Sequence, residues 1–169
     1  LNPGGFIELQ DMCFPASCVE SDLAPTSHHM KWAQLAMEAA ATTGANLAAP
    51  TTWAEQLRAA GFVEIHVKWY NWPVGLWAKQ QKNKVIGHGT LLNLQDGVAS
   101  SQALFTRVLG WSLDDFNVLV ADVRKEQLEQ KVHLYQRICI CYASKPAEPP
   151  QDDVPPSTAQ STAGAGPDA

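Results

Sequence analysis

Between His28 and Thr43, positions 32, 35, 36, 39 and 43 (Trp32, Leu35, Ala36, Ala39, Thr43) recur at helical spacing, which predicts an amphipathic helix with Ser27 as its cap. A short helix is expected over 52–60, closed by Gly61 in a left-handed cap that lets Phe62 reach Leu57. Val63, Ile65, Val67 and Trp69 then alternate with Glu64, His66, Lys68 and Tyr70, the period of a half-buried strand. Helical spacing returns over 90–109, with a break at Gly97 and an end at Gly110. Ser112 and Asp115 make a capping-box-like start to a last helix, whose stripe is Phe116, Leu119, Val120 and Val123 and which runs to about Lys131. Strands are expected at the two ends of this pattern: one over 5–10 behind a Pro3-Gly4 type II turn, the other over 133–142. Residues 12–27 and 71–88 read as loops. The order β-α-α-β-α-α-β predicts an α/β sheet with helices packed on it.

Composition changes the picture at one end. From Pro146 onward the chain is rich in Pro, Ala, Ser, Thr and Gly and has no aromatic residue, so it cannot bury the apolar area that ordering requires. The division expected is a body over 1–145 and a disordered acidic tail over 146–169. Glu148, Asp152, Asp153 and Asp168 carry most of the formal charge of -5 and leave the body near neutral. A near-neutral body lacks the clustered cations of a nucleic-acid surface. No apolar run is long enough to span a bilayer and no leader pattern opens the chain, so no nucleic-acid or membrane partner is expected, and an intracellular site, cytoplasmic or nuclear, is. Cys13, Cys18, Cys139 and Cys141 lack the C-x-x-C spacing of a zinc or redox site and read as buried or incidental thiols.

Several stretches carry a family resemblance. Leu1 to Gln10, with its Pro-Gly-Gly turn, resembles the turn and fifth strand of class I S-adenosylmethionine-dependent methyltransferases. Ala60-Gly61-Phe62-Val63, Trp72-Pro73-Val74-Gly75 with Trp77, Leu91-Leu92-Asn93-Leu94 and Leu104 through Trp111 (LFTRVLGW) narrow it: together they resemble the C-terminal half of fungal LaeA-like methyltransferases, which are associated with secondary metabolism. The resemblance implies a partial Rossmann-like methyltransferase sheet. Its three strands would be the fifth, sixth and seventh of the order 3-2-1-4-5-7-6, with the last antiparallel between the other two. It also implies S-adenosylmethionine as cofactor of the intact fold. The Gly-rich loop and ribose-binding carboxylate of that cofactor site match nothing here. The expectation is therefore a chain that forms the second half of a larger domain, binds no cofactor alone and is inactive alone. Gly87-His88-Gly89 and Gly164-Ala165-Gly166 lack the strand-loop-helix context of a nucleotide loop.

Catalytic residues are not assignable from these spacings, and no metal-ligand set is present. His28 and His29 are adjacent and cannot share a metal as an i, i+4 pair would. His66 should face solvent. Ligands gather at the carboxyl ends of strands in open α/β sheets, which singles out Gln10 and Asp11 after the first strand. Trp72 and Trp77, in the long aromatic loop, could close over a substrate, and His88 beside them is the one histidine to test as a general base. An alternative function is a truncated, non-catalytic interaction or regulatory module. In either case a sheet edge left open along Phe6 to Gln10 would favour a protein partner or self-association and marginal stability.

Overall fold

The computed structural model describes residues 1–20, 22 and 24–147; the expected tail lies outside them from residue 148 on. Three strands, β1 (Phe6–Cys18), β2 (Val63–Pro73) and β3 (Leu134–Ser144), form one sheet in the order β1-β3-β2, with β3 antiparallel to both neighbours. This is the arrangement that the resemblance implies. Four helices pack on the sheet or on one another: α1 (His28–Thr42), α2 (Trp53–Ala59), α3 (Gln81–Ser100) and α4 (Leu113–Glu129).

Local signals set several boundaries as expected. The Ser27 hydroxyl accepts from the Met30 N–H at 3.2 Å and opens α1. Gly61, at φ +83°, lets the Phe62 N–H reach the Leu57 carbonyl at 3.0 Å and the Gly61 N–H reach Arg58 at 3.0 Å, the paired bonds of a Schellman end. Ser112 accepts from the Asp115 N–H at 3.0 Å and opens α4. At the sharp turn before β1, Gly4 takes φ +75°.

Four expectations are corrected. The first strand does not stop at Gln10 but runs to Cys18. Its partners on β3 continue to Leu134, and Pro15 is accommodated where the register shifts between Cys13 and Ser17. β2 likewise extends to Pro73, so Trp72 is a strand residue, and α3 begins at Gln81, so His88 is helical rather than in a loop. Helix α3 passes unbroken through Gly97 and ends at Ser100. Leu104–Val108 then forms a separate π-helical turn. Finally, β2 is an edge strand. Val63, Val67 and Trp69 stay 45%, 40% and 37% exposed because α2 covers only part of that face, chiefly around Ile65. Along α1 the buried set is His29, Trp32, Ala33, Ala36, Ala39 and Ala40, whereas Thr43 is exposed at the C-cap.

The largest core lies among helices. Trp32, Ala33 and Ala36 of α1 meet Val98 of α3, Phe105 of the π-turn and Phe116, Leu119, Val120 and Val123 of α4. Phe105 touches the rings of Phe116 at 5.2 Å and Trp111 at 5.3 Å, and the Trp32 indole donates to Ser101 Oγ at 3.0 Å. Glu126, in the last turn of α4, reaches the start of α1. Its carboxylate accepts from Ser27 Oγ at 2.6 Å and from the N–H groups of His28 at 2.7 Å and His29 at 3.3 Å. A carboxylate there satisfies orphan amides and complements the positive end of the helix dipole.

One sheet face packs Cys139, Cys141 and Ala143 under Leu57 of α2. The other packs Leu134 under Leu91 and Leu94 of α3. The attachment of α3 to the end of β2 depends on two glycines: the Gly75 N–H donates to the Gly87 carbonyl at 2.9 Å, and a Cβ on Gly87 would lie 2.0 Å from the Gly75 oxygen. This contact anchors Gly75, two residues before Trp77.

Candidate functional site

Since β1 and β2 both run antiparallel to β3, their carboxyl ends lie at the same end of the sheet, the end where open α/β sheets collect ligands. A cleft of about 420 Å³ opens there. Pro73, Trp77, Ala78 and Tyr135 form its apolar walls with Val19, and Asn71, Lys79, Gln80 and Asn83 its polar rim. Asn71 and Pro73 stand opposite Arg137 and Tyr135 on β3, so one face of the sheet supplies a wall.

Trp77 is held from two sides. Its indole N–H donates to the Leu134 carbonyl at 3.1 Å, and its ring packs on His133 at 5.0 Å. His133 is in turn clamped by Glu20, whose carboxylate takes the backbone N–H at 2.9 Å and the ring Nδ1 at 2.5 Å. These bonds, that to the backbone N–H first and that to the ring next, hold the Glu20 carboxyl below its ordinary range. Glu20 immediately follows Val19 at the end of β1, so the clamp joins the ends of β1 and β3 beside the cleft.

The residues singled out by sequence are dispersed. Trp77 lines the cleft. Trp72 sits on the opposite sheet face, across from Gln136, and lines a smaller groove of about 210 Å³ with Met12, Val85 and Gly89. His88 is exposed on α3 and lines neither space. Gln10 and Asp11 are mid-strand and, being successive, face opposite sides of the sheet. Gln10 donates to Glu8, and Asp11 accepts from the Met12 N–H at 2.7 Å. The Glu20–His133 pair was not singled out, because nothing in the local pattern links positions so far apart in the chain.

A larger groove, about 510 Å³, separates α1 from α4 and is lined by His28, Lys31, Trp111, Asp115 and Asp122. Its polar groups face one another: Ser112 donates to Asp115 at 2.6 Å and His28 lies 3.8 Å from Asp122. The four thiols are free, and burial raises each above its ordinary pKa, so none is an activated nucleophile. A cradle for S-adenosylmethionine does not assemble from the described residues. Gly87 and Gly89 lie inside α3, with Gly87 closed off by the Gly75 carbonyl, and no carboxylate lines the carboxyl-end cleft to accept ribose hydroxyls.

An α/β segment with a central antiparallel strand between two parallel ones, and a cleft at their carboxyl ends, is consistent with part of a methyltransferase fold. Comparison with known proteins narrows this class. The chain is 33% identical over 153 residues to a probable methyltransferase, tdiE, of Emericella nidulans, covering 90% of the chain and 48% of that protein. It is 30% identical over 148 residues to the secondary metabolism regulator laeA of Monascus pilosus, covering 86% of the chain and 40% of the relative. To the protein-methionine methyltransferase laeA of Emericella nidulans it is 27% identical over 148 residues, again 86% of the chain and 39% of the relative. No family profile matches. Across 86–90% of its length the chain is thus similar to proteins named as methyltransferases and LaeA secondary metabolism regulators, as a LaeA-like methyltransferase fragment that spans about half the length of the curated relatives it matches. Among the described residues no helix is long and apolar enough to cross a membrane.

Proposed function

We propose that the chain supplies the acceptor side of an S-adenosylmethionine-dependent methyltransferase linked to fungal secondary metabolism, and that residues 1–145 act as a half-domain without methyl-transfer activity of their own. What supports this reading is the carboxyl-end cleft, preformed around Trp77, on a sheet whose described residues offer no cradle for the cofactor. Methyl transfer asks the acceptor side mainly to bind and orient, since the cofactor supplies the reactive carbon. Isothermal titration with S-adenosylmethionine should give no saturable heat. Micromolar binding would overturn the two-half reading.

One observation favours a second reading, an intracellular interaction module. Among the described residues the outer edge of β1 is unpaired, and Phe6 beside it is 70% exposed. An open edge presents backbone donors and acceptors to another strand. Sedimentation should then show concentration-dependent self-association. A monomer whose melting is sharp and independent of concentration would contradict it.

A further inference from the structure

We propose that the cleft at the carboxyl ends of β1 and β2 binds a small planar aromatic acid, its ring against Trp77 and Tyr135 and its carboxylate at Lys79. This rests on reading the cleft as the acceptor side and adds the class of molecule it accepts.

Shape and rigidity come first. The cleft, about 420 Å³, is of the size that encloses a small molecule rather than an extended peptide. Trp77 is a preformed wall. The Leu134 carbonyl fixes its indole N–H at 3.1 Å and the imidazole of His133 supports one face, itself held by two bonds to Glu20. A wall already ordered loses little entropy when a flat ring lies against it. Tyr135 and Pro73 extend the apolar surface from the sheet.

Charge selects among flat ligands. Lys79 is the one charged residue among those that line the cleft, it is exposed, and it forms no ion pair among the described residues. Among the described residues no carboxylate lines the cleft. Glu20, which follows the lining residue Val19, is engaged by His133. An anion therefore meets a free cation, whereas a cation meets the like charge of Lys79. Asn71 and Asn83 at the rim have no side-chain partner among the described residues and can accept or donate to ring substituents.

The test uses the full chain labelled with ¹⁵N and reads its six tryptophan indole N–H signals, Trp77 being assigned with Trp77→Phe. The probes are indole-3-carboxylate, its neutral carboxamide, cationic tryptamine and a short methionine-containing peptide. The carboxylate should shift the Trp77 signal saturably at sub-millimolar concentration. The carboxamide should bind about threefold to fivefold more weakly, as the loss of one exposed ion pair implies, and tryptamine more weakly again. Lys79→Gln should remove the difference between acid and amide. Tyr135→Ala should weaken the acid about tenfold, with the other indole signals keeping their dispersion as a check on folding.

No saturable shift at Trp77, binding of tryptamine equal to that of the acid, or an acid preference that survives Lys79→Gln would overturn the proposal. So would tighter binding of the methionine peptide at the same signal, which would assign the cleft to a protein side chain. No methyl donor enters these measurements. Aromatic-acid binding can thus fail while the cofactor titration behaves as expected, and cofactor binding by the chain would sink the two-half reading without touching this result.

Discussion

Replacing Gly87 with alanine should destabilise the chain by about 3 kcal/mol, at the upper end of what overpacking costs. The added Cβ would lie 2.0 Å from the Gly75 carbonyl oxygen, 3.2 Å from its carbon and 3.4 Å from Pro73 Cγ. The atom in conflict belongs to the backbone, so no rotamer change relieves it. Either α3 or the loop must move, and the loop is already committed, with Gly75 at φ +91° and its N–H bonded to Gly87. Alanine at Gly89 or Gly97, where a Cβ meets nothing within 4 Å, should instead stabilise α3 by about 0.5–1 kcal/mol through helix propensity. Urea midpoints for the three variants provide the comparison. Gly87→Ala matching Gly89→Ala in stability would show that the glycine contact is dispensable. Because the same contact anchors Gly75, two residues before Trp77, Gly87→Ala should also move the Trp77 indole signal, linking helix attachment to the cleft.

Acidification should destabilise the fold through His29 by about 3 kcal/mol. This imidazole is wholly buried between α1 and α4, its Nδ1 3.1 Å from Gln127 Nε2 and its ring 5.4 Å from that of Trp32, while its Nε2 has no partner. Burial depresses its pKa to about 4, partly opposed by the Glu126 carboxylate at the start of α1. An unfolded histidine titrates near 6.5. Between those values the unfolded chain takes up a proton that the folded chain refuses. The contribution of His29 is therefore complete above about pH 6.5 and is lost as pH falls toward 4. Loss across that window amounts to about 3 kcal/mol, from 1.36 kcal/mol per unit. His29→Gln keeps an acceptor for Gln127 and removes the titration. Unfolding midpoints between pH 7.5 and 4.5 should fall more steeply for the parent chain than for this variant, and equal slopes would refute the assignment. Glu20 acts in the same direction, since its lowered pKa also withdraws stability as acid protonates it, and the paired comparison removes that background.

The residues that sequence reading located well are those whose causes lie within a few positions of them. Ser27 caps α1, Gly61 and Phe62 close α2, and Ser112 opens α4, because each arrangement is built from neighbouring residues and their allowed dihedrals. The Pro3-Gly4 turn was likewise legible from its own residues, whereas the central place of the last strand followed from a resemblance spread over several motifs. By contrast, β1 reads as ending at Gln10 since a proline follows, yet pairing with β3 carries it on to Cys18. Helix α3 reads as a loop at its start since Gly87 and Gly89 penalise helix locally, whereas the Gly75 contact requires a glycine at 87.

The sequence by itself thus determined the order of elements, the caps, the apolar stripe of α4 and the family likeness, all of which depend on spacing along the chain. Only the tertiary structure decided where a ligand could sit. It joined Glu20 to His133, which lie 113 residues apart, and brought Glu126 to the start of α1. It placed Trp77 in a cleft with Tyr135 while turning Trp72 to the other face. Such pairings are set by strand register and helix docking. Their free energy comes from burial and hydrogen bonds between distant segments, and no local pattern records them.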